Sequence, residues 1–246
     1  MTQQKIRHRD HLGPTYKGVA IHALPGLHEL VYQLAKDNFE ATQPVLELGA
    51  GSGALSLRMR DGGFSVVPVD LDGNDWCLDI PLTVANLNEE DWQEKIPSGK
   101  RYHQIVAIEV IEHLENPSKF FRDIASLLDD DGCLILSTPN VCSFHSAYAA
   151  FKRGELVLFS PEDCITSGHI SILPWWLLKH LAARESLVIT RCVGVCEVPV
   201  SGFLKKQFVR IAILLRSFFY RPEEFDLPDG LNVIIVFKKG LGGNGQ

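Results

Sequence analysis

The chain has 246 residues, 46% hydrophobic and 22% charged, and its 24 Lys and Arg against 30 Asp and Glu leave a formal net charge of −6. That balance supports a sizeable core in one large domain or two small ones, and it excludes a disordered or fibrous chain. The acidic total argues against a protein that coats nucleic acid, and six cysteines without a C-x-x-C pair exclude a zinc ribbon or a thioredoxin-like motif.

Met1–Asp10 is polar and holds no apolar core, so no secretory signal is visible and free thiols in a reducing cytoplasm are expected. Residues 1–25 read as an N-terminal cap. Gly26–Phe39 places Leu27, Leu30, Val31, Leu34 and Ala35 on one helical face, and Ala54–Arg60 reads as a short helix opening after a glycine cluster. Pro44–Leu48, Ser65–Val69, Leu82–Ala85, Gln104–Ile108 and Cys133–Ser137 are short apolar runs bounded by turn residues. Such runs suit strands buried on both faces of a parallel sheet. Pro117–Leu128 predicts a helix with Phe120, Phe121, Ile124, Leu127 and Leu128 inward, and Pro174–Glu185 predicts another. Leu187–Val195 and Asn232–Phe237 are the last two strands. The alternation predicts a Rossmann-like, doubly wound α/β sheet. No linker rich in Pro, Gly or Ser divides the chain, so one domain is expected over 1–246. Residues 141–170 and 199–230 are expected to cover one end of the sheet, and 240–246 to form a flexible tail.

The most informative segment is Val45-Leu46-Glu47-Leu48-Gly49-Ala50-Gly51-Ser52-Gly53-Ala54. A strand that runs through glycines into a helix lets a ligand approach the backbone, because no Cβ intervenes. Gly49, Gly51 and Ala54 loosely match the dinucleotide fingerprint G-x-G-x-x-G/A, and a plain structural turn would carry the same residues. Two features turn the reading away from a nicotinamide cofactor. Glu47 would repel a pyrophosphate and suits a cationic ligand, and Gly53 makes a G-x-G-x-G spacing with room for a bulkier one. Asp70 ends the next strand, where an acid can accept both hydroxyls of a ribose or merely cap a turn.

The pattern E-x-G-x-G-x-G at Glu47, Gly49, Gly51 and Gly53, with Asp70 after the second strand, resembles the class I S-adenosylmethionine-dependent methyltransferases. The likeness continues through Glu109-Val110-Ile111-Glu112-His113-Leu114 and Gly132-Cys133-Leu134-Ile135-Leu136-Ser137-Thr138-Pro139-Asn140. These runs are similar to the ubiquinone-biosynthesis O-methyltransferase-like (type 11/23) subgroup, over roughly residues 20–140, with Gly168-His169-Ile170 extending it. The resemblance implies a seven-stranded, mostly parallel sheet with one antiparallel edge strand, near Asn232–Phe237. It implies S-adenosylmethionine as cofactor and S-adenosylhomocysteine as product. Glu47, Gly49, Ala50, Gly51 and Gly53 would form the first motif, with Asp70 and Leu71 at the ribose. Asn86 and Leu87 would lie at the adenine and Glu109 at the methionine portion. The family often has Asp where Asn86 stands, and an amide oxygen can still accept from the adenine amino group.

A methyl on a sulfonium is already activated, so what the protein adds is alignment, exclusion of water and, for a hydroxyl acceptor, a base. His113 and His169 are the candidate bases placed by motif, with His145 a weaker third. Each also has a plain structural role open to it: ordering the pocket for His113, capping Trp175 for His169. Phe144, Tyr148, Phe151, Phe159, Trp175 and Trp176 could line an aromatic acceptor pocket or simply fill a core. The expected reaction is O-methylation of a small or lipid- or glycan-linked acceptor. Alternatives are a nicotinamide oxidoreductase and a catalytically silent cofactor binder.

A further alternative is a metal-dependent RNA enzyme. Glu109, Glu112 and His113 form E-x-x-E-H with His169 downstream, similar to the metal-binding set of small-RNA 3′-terminal 2′-O-methyltransferases. The same motif is common in relatives with no known metal, and Gly168–Pro174 lacks a second histidine and the polar residues suited to RNA. With the acidic charge, no metal and no nucleic acid are expected.

Residues 201–221 carry Lys205, Lys206, Arg210, Arg216 and Arg221 and no acid. On a helical projection these charges fall within roughly 160°, with Leu204, Phe208, Ile211 and Leu215 largely opposite. A cover helix with a solvated basic face is one reading; peripheral contact with an anionic membrane is the other. Phe208–Tyr220 is too short to span a bilayer.

Overall fold

A computed structural model of the chain describes residues 14–96, 101–195 and 230–240. Its frame is a seven-stranded sheet. β3 (Pro44–Leu48), β4 (Ser65–Asp70), β5 (Thr83–Val84), β6 (Tyr102–Ile108) and β7 (Leu128–Pro139) are parallel, and β8 (Leu187–Val195) and β9 (Asn232–Lys239) complete it. The spatial order is β5-β4-β3-β6-β7-β9-β8. The chain first builds outward from β3 to β5 and then returns across β3 to start β6. That reversal opens a crevice at the carboxyl ends of β3 and β6, where ligands bind in doubly wound sheets.

Helices cover both faces, and the period of two in the strands sorts side chains between them. On one face α1 (Leu27–Asn38) and α2 (Ala54–Asp61) bury Val31, Leu34, Leu55 and Met59 against Val45, Val106, Ile135, Ile234 and Val236. On the other α3 (Pro117–Leu127) and α6 (Trp175–Arg184) bury Phe120, Phe121, Ile124 and Leu178 against Leu46, Ile105, Leu134, Ile235 and Phe237. α3 begins where Asn116 accepts from the Lys119 amide at 2.9 Å and Pro117 takes the first turn, which satisfies one first-turn amide and removes another.

The antiparallel strand is the last one, β9, and it lies one place in from the edge instead of at it. The reason is burial. Asn232–Phe237 is buried throughout and must be covered on both faces and both sides, whereas β8 exposes Val188, Thr190 and Arg191. A charged strand with a register shift between Ile189 and Arg191 makes the better edge. Arg191 there pairs with Asp37 at 3.3 Å.

Other boundaries move by a few residues, β7 most, since it starts at Leu128 instead of Cys133. The cover segment 141–170 holds two helices, α4 (Phe144–Arg153) and α5 (Pro161–Thr166). Ser143 caps the first and a Ser160/Asp163 capping box starts the second. Near the amino end a hairpin of β1 (Thr15–Tyr16) and β2 (Val19–Ala20) turns at Lys17 and Gly18, both at positive φ. The basic stretch 201–221 lies outside the described residues, as do the first thirteen and the last six. Among the described residues no helix is long and apolar enough to cross a membrane.

Candidate functional site

The loop after β3 is pinned to β4: the amides of Gly49 and Ala50 donate to the Val69 carbonyl at 2.9 and 3.1 Å. Gly49 and Gly51 both stand at positive φ, 75° and 55°, which disfavours any residue with a Cβ. Their surroundings differ. A Cβ on Gly49 would come within 2.2 Å of Val110 Cγ2, while one on Gly51 would meet nothing within 4 Å. Gly49 is therefore required by packing, and Gly51 fronts open space. The Gly51 amide donates to Asp70 Oδ2 at 2.7 Å, which orients that carboxylate at the end of β4.

The open space is a cavity of about 790 Å³ at the crevice, a volume suited to a nucleoside-sized ligand. Glu47, Gly49, Ala50, Gly51, Asp70 and Leu71 lie along one side. Asn86 and Leu87 follow, and Glu109, His113 and His169 complete the far wall. Of the cofactor residues read from sequence only Gly53 stands back. It caps α2 at φ 95°, packed beneath Leu78 and Trp76. Asn86 Oδ1 accepts from the Asn88 amide at 3.1 Å, which holds the amide in an Asx turn with a second lone pair still free.

Glu47 is buried and accepts from the Ser56 hydroxyl. Burial pushes its carboxyl up to about 8, Ser56 offsets part of that, and the nearby Asp70 charge adds to it. A cationic group in the cavity would reverse the shift, because it favours the ionised form. Glu109, at the end of β6, has φ 55°, an uncommon conformation for a residue with a side chain and one that re-aims it into the crevice. Ser137 holds it twice: its hydroxyl donates to Glu109 Oε1 at 2.8 Å and accepts from the Glu109 amide at 3.1 Å. Burial raises the Glu109 carboxyl as well.

His113 ends a 3-10 turn, Ile111–His113, just past β6. His169 comes from the loop after α5, and the two rings meet edge to face with centroids 4.9 Å apart. The loop is strapped in place, since the Ile170 and Ser171 amides both donate to the Glu112 carbonyl at 2.9 Å. His169 does not cap Trp175; its other ring neighbour is Phe159 at 5.5 Å. His145 sits on α4 beside Phe144 and is not among the cavity walls. The six aromatic residues do not make an acceptor pocket either. Phe151 and Trp176 are 92% and 68% exposed, and Phe144 stacks on Tyr148 along α4.

Two features were missed. Residues 20–24 and His28 line the cavity from the amino side, and no motif marks them. His28 is buried with its Nδ1 unpartnered among the described residues, and burial lowers its pKa to about 4. The second is the degree to which Glu112 is enclosed behind His113; its side chain is wholly buried.

The family profile described as a methyltransferase domain matches residues 22–184, which is most of the chain and takes in all of the cavity lining except Ala20 and Ile21. The chain belongs to that family. Among curated relatives of this methyltransferase domain is the ubiquinone biosynthesis O-methyltransferase of Rickettsia bellii, 29% identical over 103 residues, 39% of this chain and 42% of that protein. The namesake from Nitrosomonas europaea is 26% identical over 169 residues, 64% of this chain and 68% of that one. The chain thus spans about two-fifths of the length of the Rickettsia relative it matches. Among solved structures, a SAM-dependent methyltransferase from Archaeoglobus fulgidus superposes with a TM-score of 0.57 at 17% identity, covering 86% of this chain and 94% of that one. One from Mesorhizobium loti gives 0.54 at 15%, covering 87% and 98%. These likenesses establish the fold of the methyltransferase domain.

Proposed function

We propose that this methyltransferase domain transfers a methyl group from S-adenosylmethionine to a hydroxyl of a small or lipid- or glycan-linked acceptor. The observation that carries the reading is one continuous cavity with the glycine loop, Asp70 and Glu47 on one side and His113 and His169 on the other. The residues present fit the cofactor. Gly51 leaves space a Cβ would fill, Asp70 is oriented for a ribose, and the buried, high-pKa Glu47 suits a positively charged ligand. When bound, the cofactor supplies a methyl already activated by its sulfonium.

The remaining work falls to this chain's own groups. Asp70, with one oxygen held by Gly51, offers the other to hydroxyl donors. Glu109, fixed by Ser137, presents a carboxyl toward the methionine side. The acceptor would lie against His113 and His169, whose walls exclude water and place a basic nitrogen within reach of its hydroxyl. The names of the curated relatives agree with an oxygen acceptor, and family membership favours S-adenosylmethionine over a nicotinamide cofactor.

Calorimetry with S-adenosylhomocysteine tests the reading. The wild type should bind, and Asp70→Ala should bind at least about 10-fold more weakly, the worth of a hydrogen bond to a charged group. No binding by the wild type at high protein concentration overturns it.

A further inference from the structure

Behind the cavity lies a charged cluster that the cofactor site does not use. Lys119 and Asp123 stand one turn apart on α3, with side chains only 7% and 12% exposed. A buried ion pair is a poor way to stabilise a fold, because desolvating both charges offsets most of their attraction. What the pair holds explains it better. The Lys119 ammonium donates to Asp123 Oδ2 and to the Glu89 carbonyl, both at 2.7 Å, and the same carboxylate oxygen accepts from Trp92 Nε1 at 2.7 Å. Trp92 is fully buried and opens a 3-10 turn, Trp92–Lys95. A further tie runs from the Glu115 amide to Asn88 Oδ1 at 3.0 Å.

These ties matter to the cavity because of what lies just before them. Ala85, Asn86, Leu87 and Asn88 form the wall that follows Asp70 and Leu71. The Ala85 amide donates to the Asp70 carbonyl at 2.8 Å, so the wall begins where ribose hydroxyls would be held. A base on that ribose needs an apolar surface for its face and a polar group to read its edge. Ala85 and Leu87 offer the surface, and Asn86 offers an amide oxygen with a lone pair free. The sheet anchors this wall weakly, since β5 is two residues long, lies at the edge and exposes Val84. Placement of the chain from there to Trp92 falls to α3.

We propose that Lys119 and Asp123 are positioning residues for the nucleoside base: by clamping Glu89 and Trp92 they hold Asn86 and Leu87 in the geometry that favours adenine. Among the described residues none of Glu89, Trp92, Lys119 and Asp123 lines the cavity, so the effect is exerted through the wall. That role presupposes the cofactor proposed above. Its physical basis is pre-organisation. A wall already fixed needs no ordering when the ligand arrives, and the Asn86 oxygen stays aligned with an amino group at the base edge. A loosened wall must be ordered on binding and its oxygen can turn away, so affinity and base selectivity fall together. A pair that served stability alone would leave the selectivity where it was.

Calorimetry comparing S-adenosylhomocysteine with its deaminated counterpart S-inosylhomocysteine, in which a carbonyl replaces the amino group, separates the two. The wild type should prefer the adenine ligand by at least about 10-fold, because the carbonyl would face the Asn86 oxygen and leave it without a donor. Lys119→Met releases Glu89 and leaves the Asp123 charge with Trp92 alone; it should bind S-adenosylhomocysteine about 10-fold more weakly and prefer it by less than about 3-fold. Asp123→Asn keeps the shape and an acceptor for Trp92, so it carries the comparison where Lys119→Met does not fold, and its preference should fall by at least about 3-fold. Ile124→Ala opens a void in the core on the same helix; it should lower the melting temperature and keep the wild-type preference. A folded Lys119→Met or Asp123→Asn protein with the wild-type preference overturns the positioning role. So does a wild type that binds both ligands alike, or an Ile124→Ala protein that loses the preference to the same degree. A wild type that binds neither ligand refutes the cofactor reading and the positioning role with it.

Discussion

Glu47→Gln isolates the electrostatics of the cofactor side of the crevice. The substitution keeps the shape and a hydrogen-bonding partner for Ser56 and removes the ability to ionise. In the folded chain the wild-type carboxyl is pushed up to about 8 by burial, from an ordinary 4.5. Because the folded state then holds its proton more tightly than the unfolded one, this group makes stability fall as pH rises from about 4.5 to about 8. Taking those two values, the loss between pH 5 and pH 7.5 is about 3 kcal/mol, an upper bound since the interior relaxes around a charge. The glutamine variant lacks that slope. Its melting temperature should sit near that of the wild type at pH 5 and exceed it at pH 7.5. At 2–4 °C per kcal/mol for a chain of this size, the gain is up to about 6–12 °C. Differential scanning fluorimetry of both proteins at the two pH values measures it. A melting difference that is the same at pH 5 and pH 7.5 would falsify the claim that Glu47 is held protonated by burial. In the same samples, S-adenosylhomocysteine affinity should drop for the variant, because its ammonium group loses a carboxylate partner.

The two loop glycines should separate packing from ligand space. Gly49→Ala drives a methyl into Val110 at 2.2 Å and should cost about 3 kcal/mol or more in a urea titration; wild-type stability there would contradict the packing argument. Gly51→Ala meets only the left-handed strain of about 1–2 kcal/mol, so it should fold and bind S-adenosylhomocysteine at least about 10-fold more weakly. Ser137→Ala leaves Glu109 without its hydroxyl partner and should destabilise by about 1–3 kcal/mol, read from the denaturant midpoint; an unchanged midpoint would show that Ser137 does not hold Glu109. If residues 201–221 meet a membrane, wild-type protein should sediment with anionic vesicles at low salt and be released at high salt. Reversal of Lys205, Lys206 and Arg210 to Glu should abolish that binding, and a wild type that stays in the supernatant removes the membrane from the account.

What the sequence determined by itself was the local chemistry. Glycines at alternate positions between an apolar run and a helix, an acid two residues before them and another at the next strand end are short-range patterns. Each can be read because its meaning depends on neighbours within a few residues. The same is true of Pro117 and Asn116 at the start of α3, and of the period-two apolar runs that became strands. The tertiary structure alone decided which distant groups meet. β9 takes the inner place because its buried run needs a strand on either side while β8 tolerates solvent at Arg191. His169 and Glu112 are 57 positions apart in sequence and are brought together by the fold, with two amides of one loop bound to one carbonyl of the other. His28 enters the cavity through the packing of α1, with no motif to announce it. Whether a carboxyl is solvated or enclosed depends on the whole fold, since burial is the sum of contacts from every element around it. That is why Glu47 could be placed from the sequence but not its raised pKa, and why Glu112 could be seen in a motif but not its complete burial.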